Sequence, residues 1–377
     1  MSQTVISSTG YEGVIYLFIS TTQASLLMRK AQITNLLIFP DVQKSINKIL
    51  SNVVQVAVCV FGVFSNIINI LVFYKIGFAD SVTVVLFGLA ISDLGYLFFS
   101  VASQTLDILD AAVGLHPFEP LKNLAFQVLW FNNMFYDITI ILTVFNAVQK
   151  CACVAIPLIF KSVFTKSRSI FIVGFVYVGI FIYYIPTFAN PGTASYFDPS
   201  LNWTRLGNYY LPNNETVNTI FYILSRILLP FVSQAVIIFC MVILTVKLRA
   251  TLKFRRTLSL HQGFAEENEN ERERNKAKGS GKELRAIQTV TLVSAIFVVC
   301  NSPDILITLT RSVYPEFSDT SSRFESTYRM CGAIQDVFAV TNSAVNIVVY
   351  LKYNNKYRRR FKEIIQAVVR PQTRLRL

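Results

Sequence analysis

Asp93 is the only charged residue between positions 82 and 106 of an otherwise apolar stretch. A carboxylate halfway along a bilayer-length helix is costly unless it faces a polar interior or a partner, and such groups mark functional sites. The competing reading is a carboxylate held by polar neighbours with no role beyond packing. Four other apolar runs also carry a single charge: Asp137 in 123–149, Arg226 in 220–246, Asp304 in 286–310 and Asp336 in 330–351. Catalytic chemistry is a poor match to this set. The two histidines, His116 and His261, fall in connecting segments on opposite sides. No metal-ligand, nucleophile or phosphate-loop spacing occurs, so neither an enzyme nor a cofactor is expected.

These charges must be positioned by membrane-spanning helices. The chain is 53% hydrophobic and only 15% charged, where a soluble domain carries about a quarter charged residues. Seven runs, 53–74, 82–106, 123–149, 169–197, 220–246, 286–310 and 330–351, are long enough at about 1.5 Å per residue to cross about 30 Å of hydrocarbon. The apolar stretch 16–27 is too short. The helices are expected at about 50–75, 81–109, 121–153, 168–190, 217–249, 283–311 and 328–351. Residues 1–48 read as a partly disordered extracellular segment, 49–351 as the helical domain with a charged loop at 250–282, and 352–377 as a basic amphipathic helix and tail.

The net charge of +13 does not point to nucleic acid, because 25 of the 35 Lys and Arg lie in connecting segments on one side. That asymmetry makes those segments cytoplasmic and the N-terminus extracellular. Two glycosylation sequons, at Asn202 and Asn214, fall on the opposite side, as this orientation requires. After position 351, Phe361, Ile364, Ile365, Val368 and Val369 recur at helical spacing among five basic residues, a pattern that lies on anionic inner-leaflet lipids.

Marker residues in these runs resemble those of rhodopsin-like (class A) G-protein-coupled receptors over about residues 48–369. Gly62-Val-Phe-Ser-Asn66 is similar to the first-helix Gly-x-x-Gly-Asn pattern, and Leu89-Ala-Ile-Ser-Asp93 to Leu-Ala-x-x-Asp. Pro230 takes the helix-five proline position. Phe297-x-x-Cys300-Asn301-Ser302-Pro303 resembles Phe-x-x-Cys-Trp-x-Pro, and Asn342-Ser343-x-x-Asn346-x-x-x-Tyr350 resembles Asn-x-x-x-Asn-Pro-x-x-Tyr. The end of helix three is similar to that of invertebrate, molluscan-type chemosensory and orphan receptors. The resemblance implies an all-α seven-helix bundle in the plasma membrane, binding an extracellular small molecule or peptide and activating a heterotrimeric G protein.

It also assigns roles. Asn66, Asp93's neighbours Thr139, Asn342, Ser343 and Asn346, and Asp93 itself would form an interior polar cluster able to hold sodium. Ile140, Pro230, Phe297, Asn301, Pro303 and Tyr350 would relay activation. Lys150 stands at the usual arginine position of helix three and would clasp Glu283 in the resting state. Ile347 replaces the usual helix-seven proline, so helix seven is expected to be straighter than is usual. Ala125 replaces the helix-three cysteine and the loop after helix four has none, so no disulfide is expected.

In such a bundle helices five, six and seven adjoin. Arg226, Asp304 and Asp336 each lie six residues from the outer end of their run, about 9 Å deep. With Asn132, Asn133 and Tyr136 they would line a pocket for a polar or zwitterionic ligand. The competing arrangement is an Arg226–Asp304 bridge with Asp336 hydrated. Asn132 stands where amine receptors carry aspartate, which argues against that class. The rival function is a seven-helix ligand-gated channel or transporter. A transporter would predict paired half-length helices or an internal repeat, and neither is seen.

Overall fold

A computed structural model of the chain describes residues 40–113, 120–189, 191–198, 203–261, 270–321 and 323–369; along 251–261 and 270–290 it describes the helical path alone. Among the described residues, seven helices are long and apolar enough to cross a membrane: Pro40–Ile76, Ser81–Leu109, Leu124–Ala155, Lys166–Ala189, Asn214–Lys247, Thr291–Val313 and Glu325–Tyr353. They are numbered here as the first to seventh spans. A final helix, Asn355–Val369, follows the seventh.

Several helices overrun their apolar runs. The first begins at Pro40, where a missing N–H costs nothing and Asp41 meets the positive end of the helix. The fifth continues to His261 and the sixth begins at Asn270. Much of the stretch expected as a loop at 250–282 is therefore helical, which its Glu, Arg and Lys content favours.

The segment after the fourth span, expected as a loop, contains a hairpin. Strand β1, Pro191–Asp198, pairs antiparallel with β2, Trp203–Tyr210, from Pro191 opposite Tyr210 to Asp198 opposite Trp203. Tyr196, Phe197, Trp203, Tyr209 and Tyr210 give it aromatic strand formers. All six cysteines are free thiols.

Close packing depends on small residues. A methyl group at Gly62 would lie 2.6 Å from Leu97 Cδ1 and 2.9 Å from Ala344 Cβ, so the first span touches the second and seventh through this hydrogen. At Gly95 the same atom would meet the Phe135 ring at 2.5 Å. Small residues at helix contacts let membrane helices approach without a hydrophobic driving force. The central core joins Ile140 and Phe297, both at most 1% exposed, with Ile237 and Val340.

The seventh span corrects an expectation. It is not straighter for lacking a proline: the helix Glu325–Ala344 is interrupted at Val345 and resumes at Asn346. Val348 N–H bonds to Val345 O at 3.0 Å instead of reaching Ala344. The first span takes the freed acceptors. Asn66 Nδ2 donates to Ser343 O at 2.9 Å, and Ser65 Oγ lies 3.1 Å from Ala344 O. Inserted side chains thus break the ladder where a proline would have done so.

The fifth span carries a π-helical turn, Tyr222–Leu228, which ends with Leu229 N–H bonded back to Leu224 O. Pro230 lacks the N–H that Arg226 O would accept in an α-helix, so a wider turn before it is favoured. At Pro303 the sixth helix continues. The nearby Val298 carbonyl accepts from Ser302 Oγ at 2.6 Å and from Gln234 Nε2 of the fifth span at 3.2 Å.

Gly62→Val should lower the stability of the purified protein by about 1–3 kcal/mol, read as a lower melting temperature. Gly174→Ala, where an added methyl meets nothing within 4 Å, is the control and should melt as the wild type does.

Candidate functional site

The interior cluster is built on Asp93, which is 1% exposed. The second span carries it past two polar neighbours. Thr139 Oγ1 of the third span lies 3.1 Å from Asp93 Oδ1 and 3.0 Å from Ser92 Oγ. Asn346 Nδ2 of the seventh span donates to Asp93 Oδ2 at 2.9 Å. Ser343, 1% exposed, and Asn342 are buried on the same helix. Asn66 joins this region through the Ser343 carbonyl and not through a side-chain contact with Asp93. Its Oδ1 accepts from Asn69 Nδ2 at 3.1 Å, and Asn69 Oδ1 accepts from Tyr357 Oη at 2.6 Å. Tyr357 is fully buried in the terminal helix, against Phe73 and Tyr350. The polar chain therefore runs from the bundle interior to the cytoplasmic helix. Sequence reading missed Asn69 and Tyr357. Their signal was polar residues at apolar-stripe positions, one turn from Asn66 and from Tyr353.

The outer charges lie on adjoining spans, but deeper within their helices than about 9 Å. Arg226, Asp304 and Asp336 sit twelve, nine and eleven residues from the outer helix ends, about 14–18 Å of helix. The bundle projects beyond the apolar runs. Arg226 falls inside the π turn, with its guanidinium 5.7 Å from the Phe221 ring centre. The direct Arg226–Asp304 bridge is not formed. Asp304 Oδ1 accepts from Gln335 Nε2 at 2.6 Å, tying the sixth span to the seventh.

Asp137 enters this group although sequence reading gave it no role. It is fully buried, and its Oδ2 accepts from Tyr184 Oη of the fourth span at 2.7 Å, while Oδ1 has no hydrogen-bond partner. Arg226 acts electrostatically on Asp137, Asp304 and Asp336 alike. Its signal was present, since Asp137 is the lone charge of its run.

Asp336 is the most exposed of these acids. Its charge is nonetheless felt by Cys59, Tyr96 and Tyr136 on the first three spans and by Arg226 and Asp304 on the fifth and sixth. Its side chain is thus exposed yet lies among groups of five other spans, which turns it toward the bundle interior. Tyr136 reaches the same region, with Oη donating to Asn301 Oδ1 at 3.0 Å. Asn132 does not: both its N–H groups are used, on Tyr96 O and Ser100 Oγ at 2.7 Å each, so it joins the third span to the second. Asn133 is half-buried on the neighbouring face.

At the opposite end a cleft of about 520 Å³ opens among the spans. Its walls include Asn146 and Lys150 of the third span, Val293 of the sixth, Tyr350 of the seventh and Lys356 of the terminal helix. The Glu283 side chain lies outside the described residues, as does Asn202. Asn214 begins the helix of the fifth span and accepts from Asn218 Nδ2 at 2.9 Å. Pro230 is buried, Tyr350 is 3% exposed, and Pro303 is half-buried.

Tyr184→Phe should leave the buried Asp137 without its hydrogen bond and cost about 1–3 kcal/mol. Melting of the purified protein measures this. Tyr183→Phe, at a half-buried ring, should cost less.

Comparison with curated proteins found no match to the chain. The model of the serpentine type 7TM GPCR chemoreceptor family Srw matches residues 53–367, and the chain belongs to that family, as a multi-pass membrane receptor of the chemosensory type.

Proposed function

We propose that this receptor works as rhodopsin-like receptors do, and that within that class it stands near the invertebrate, molluscan-type chemosensory receptors. It sits in the plasma membrane, takes a polar extracellular small molecule or peptide end into the outer hollow, and activates a heterotrimeric G protein. The observation that carries this reading is Asp336, exposed yet electrostatically linked to groups on five other spans. Asp304, Arg226 and Tyr136 share that space, and Asn133 borders it.

Binding at the outer end would bias a two-state bundle only if the ligand contacts differ between the states. The parts suited to transmit this are the core pair Ile140 and Phe297, the π turn before Pro230, Asn301 beside Pro303, and the break ahead of Tyr350. The cytoplasmic cleft gives the G protein a docking place, with Lys150 and Lys356 on its walls. A Lys150–Glu283 pair would hold the sixth span inward at rest. Asp93, with Asn66, Thr139, Asn342, Ser343 and Asn346, offers oxygen ligands suited to sodium. The terminal helix, buried through Tyr357 and carrying basic residues outward, would rest on anionic lipid. Asn202 and Asn214 would bear glycans outside.

G-protein dissociation measured in cells exposed to candidate ligands tests this directly. Asp336→Asn keeps the shape and removes the charge. It should weaken agonist potency about ten- to a hundredfold at normal surface expression. Unaltered potency would remove Asp336 as an anchor. If sodium binds at Asp93, raising sodium should lower agonist affinity in the wild type and not in Asp93→Asn. Glu283→Gln should raise basal signalling if the clasp holds the resting state.

A further inference from the structure

The outer hollow is short of positive charge. Three carboxylates, Asp137, Asp304 and Asp336, share the single guanidinium of Arg226. Asp137 is the most deeply buried of them, and it is the first of these acids to act on Arg226. One guanidinium balances one carboxylate. Two negative charges are left in a space walled by apolar and aromatic side chains, where an uncompensated charge is expensive. Two other arginines toward the outer ends of the spans have partners of their own at the rim. Arg311 lies over the Tyr222 ring at 5.5 Å, and Arg329 pairs with Glu325 at 3.1 Å.

A second observation concerns Asn301. It is 2% exposed, and its Oδ1 is taken by Tyr136 Oη, but its Nδ2 has no partner. A buried amide donor without an acceptor is destabilising. Asn301 lies three residues before Asp304, on the same helix face and about 4.5 Å deeper. Its unpartnered amide therefore lies one turn below Asp304 on the same helix. Asp336 makes no hydrogen bond or ion pair among the described residues. Among them also, no three acidic, histidine or cysteine side chains converge closely enough to hold one metal ion. Asp304 and Asp336 stand on different spans.

Building on the receptor reading above, we infer that the hollow takes an organic ligand with two separated positive charges and a carbonyl oxygen, such as a basic amino-acid amide or the basic amino terminus of a peptide. Asp336 and Asp304 meet the two cationic groups, and Asn301 Nδ2 donates to the carbonyl. Arg226 stays with Asp137 and excludes a ligand with no compensating anion of its own from the fifth-span side.

Ligand-induced shifts in melting temperature of the full-length receptor in nanodiscs test this without any signalling readout. Probes are used at about 10 mM, where even a millimolar site is largely filled and stabilised. Argininamide carries two charges and a carbonyl, agmatine lacks the carbonyl, N-acetylargininamide lacks one charge, and glutamate is anionic. Argininamide should shift the wild type most and bind at least tenfold tighter than N-acetylargininamide. Agmatine should fall between them. Arginylglycinamide separates a free amide from a peptide end, and tighter binding of either fits the assignment. Asp304→Asn and Asp336→Asn should each erase the preference for two charges. No shift with any dication, an equal shift with glutamate, or an equal shift with sodium or calcium ions alone would overturn the inference. So would unchanged argininamide affinity in the Asp304→Asn/Asp336→Asn double variant. The wild-type ranking needs no variant to fold. Dication binding without G-protein release would instead count against the receptor reading and leave this one standing.

Discussion

A charge inside a membrane persists only where protein groups or enclosed water replace the hydration it has lost. Five of the seven spans carry one such residue near their middle, and none of the five is left to lipid. Asp93 is met by Thr139 and Asn346. Asp137 is met by Tyr184, and Asp304 by Gln335. Arg226 lies against Phe221 among the acids, and Asp336 is exposed among groups of five other spans. Each requirement ties a span to a neighbour or to the cavity. Satisfying the charges thereby sets which faces turn inward. The apolar core around Ile140, Phe297 and Val340 then fills the space those turns define.

The same polar groups also shape the helices. The seventh span lacks a proline, yet Asn66 and Ser65 draw off the carbonyls of Ser343 and Ala344 and interrupt it one residue later. The fifth span has its proline, and the turn before it widens around Arg226. In both cases the irregular backbone lies beside the interior polar residues, where freed carbonyls and donors find protein partners. These are the places where a bundle can hold two arrangements, because the ladder there is already incomplete. The chain Asn66–Asn69–Tyr357 extends this interior to the terminal helix, so that helix is anchored by a hydrogen bond as well as by its apolar face.

Much of the architecture was legible because hydropathy is read along one helix at a time. Span number, the lone charges and the basic cytoplasmic side all follow from single runs of residues. What was not legible depends on two helices at once. Nothing along the third span says that Tyr184 reaches Asp137, and nothing along the seventh says that Gln335, not Arg226, holds Asp304. Asn132 looked like a pocket residue by depth, yet its neighbours on the second span use both its donors. The absent proline at Ile347 implied a straighter helix, because the competing acceptor geometry belongs to the first span. The hairpin after the fourth span escaped notice because its strands are short beside a bilayer-length run, although its aromatic residues favour extended chain.

Asp336 is exposed toward the outer end of the bundle, whereas Asp93 is buried deeper. Cysteine accessibility measures that directly. In a Cys331→Ser background, Asp336→Cys should react with a charged, membrane-impermeant thiol reagent applied outside intact cells, while Asp93→Cys should stay unmodified. Reaction of Asp336→Cys only from the cytoplasmic side, or of neither position from either side, would contradict it.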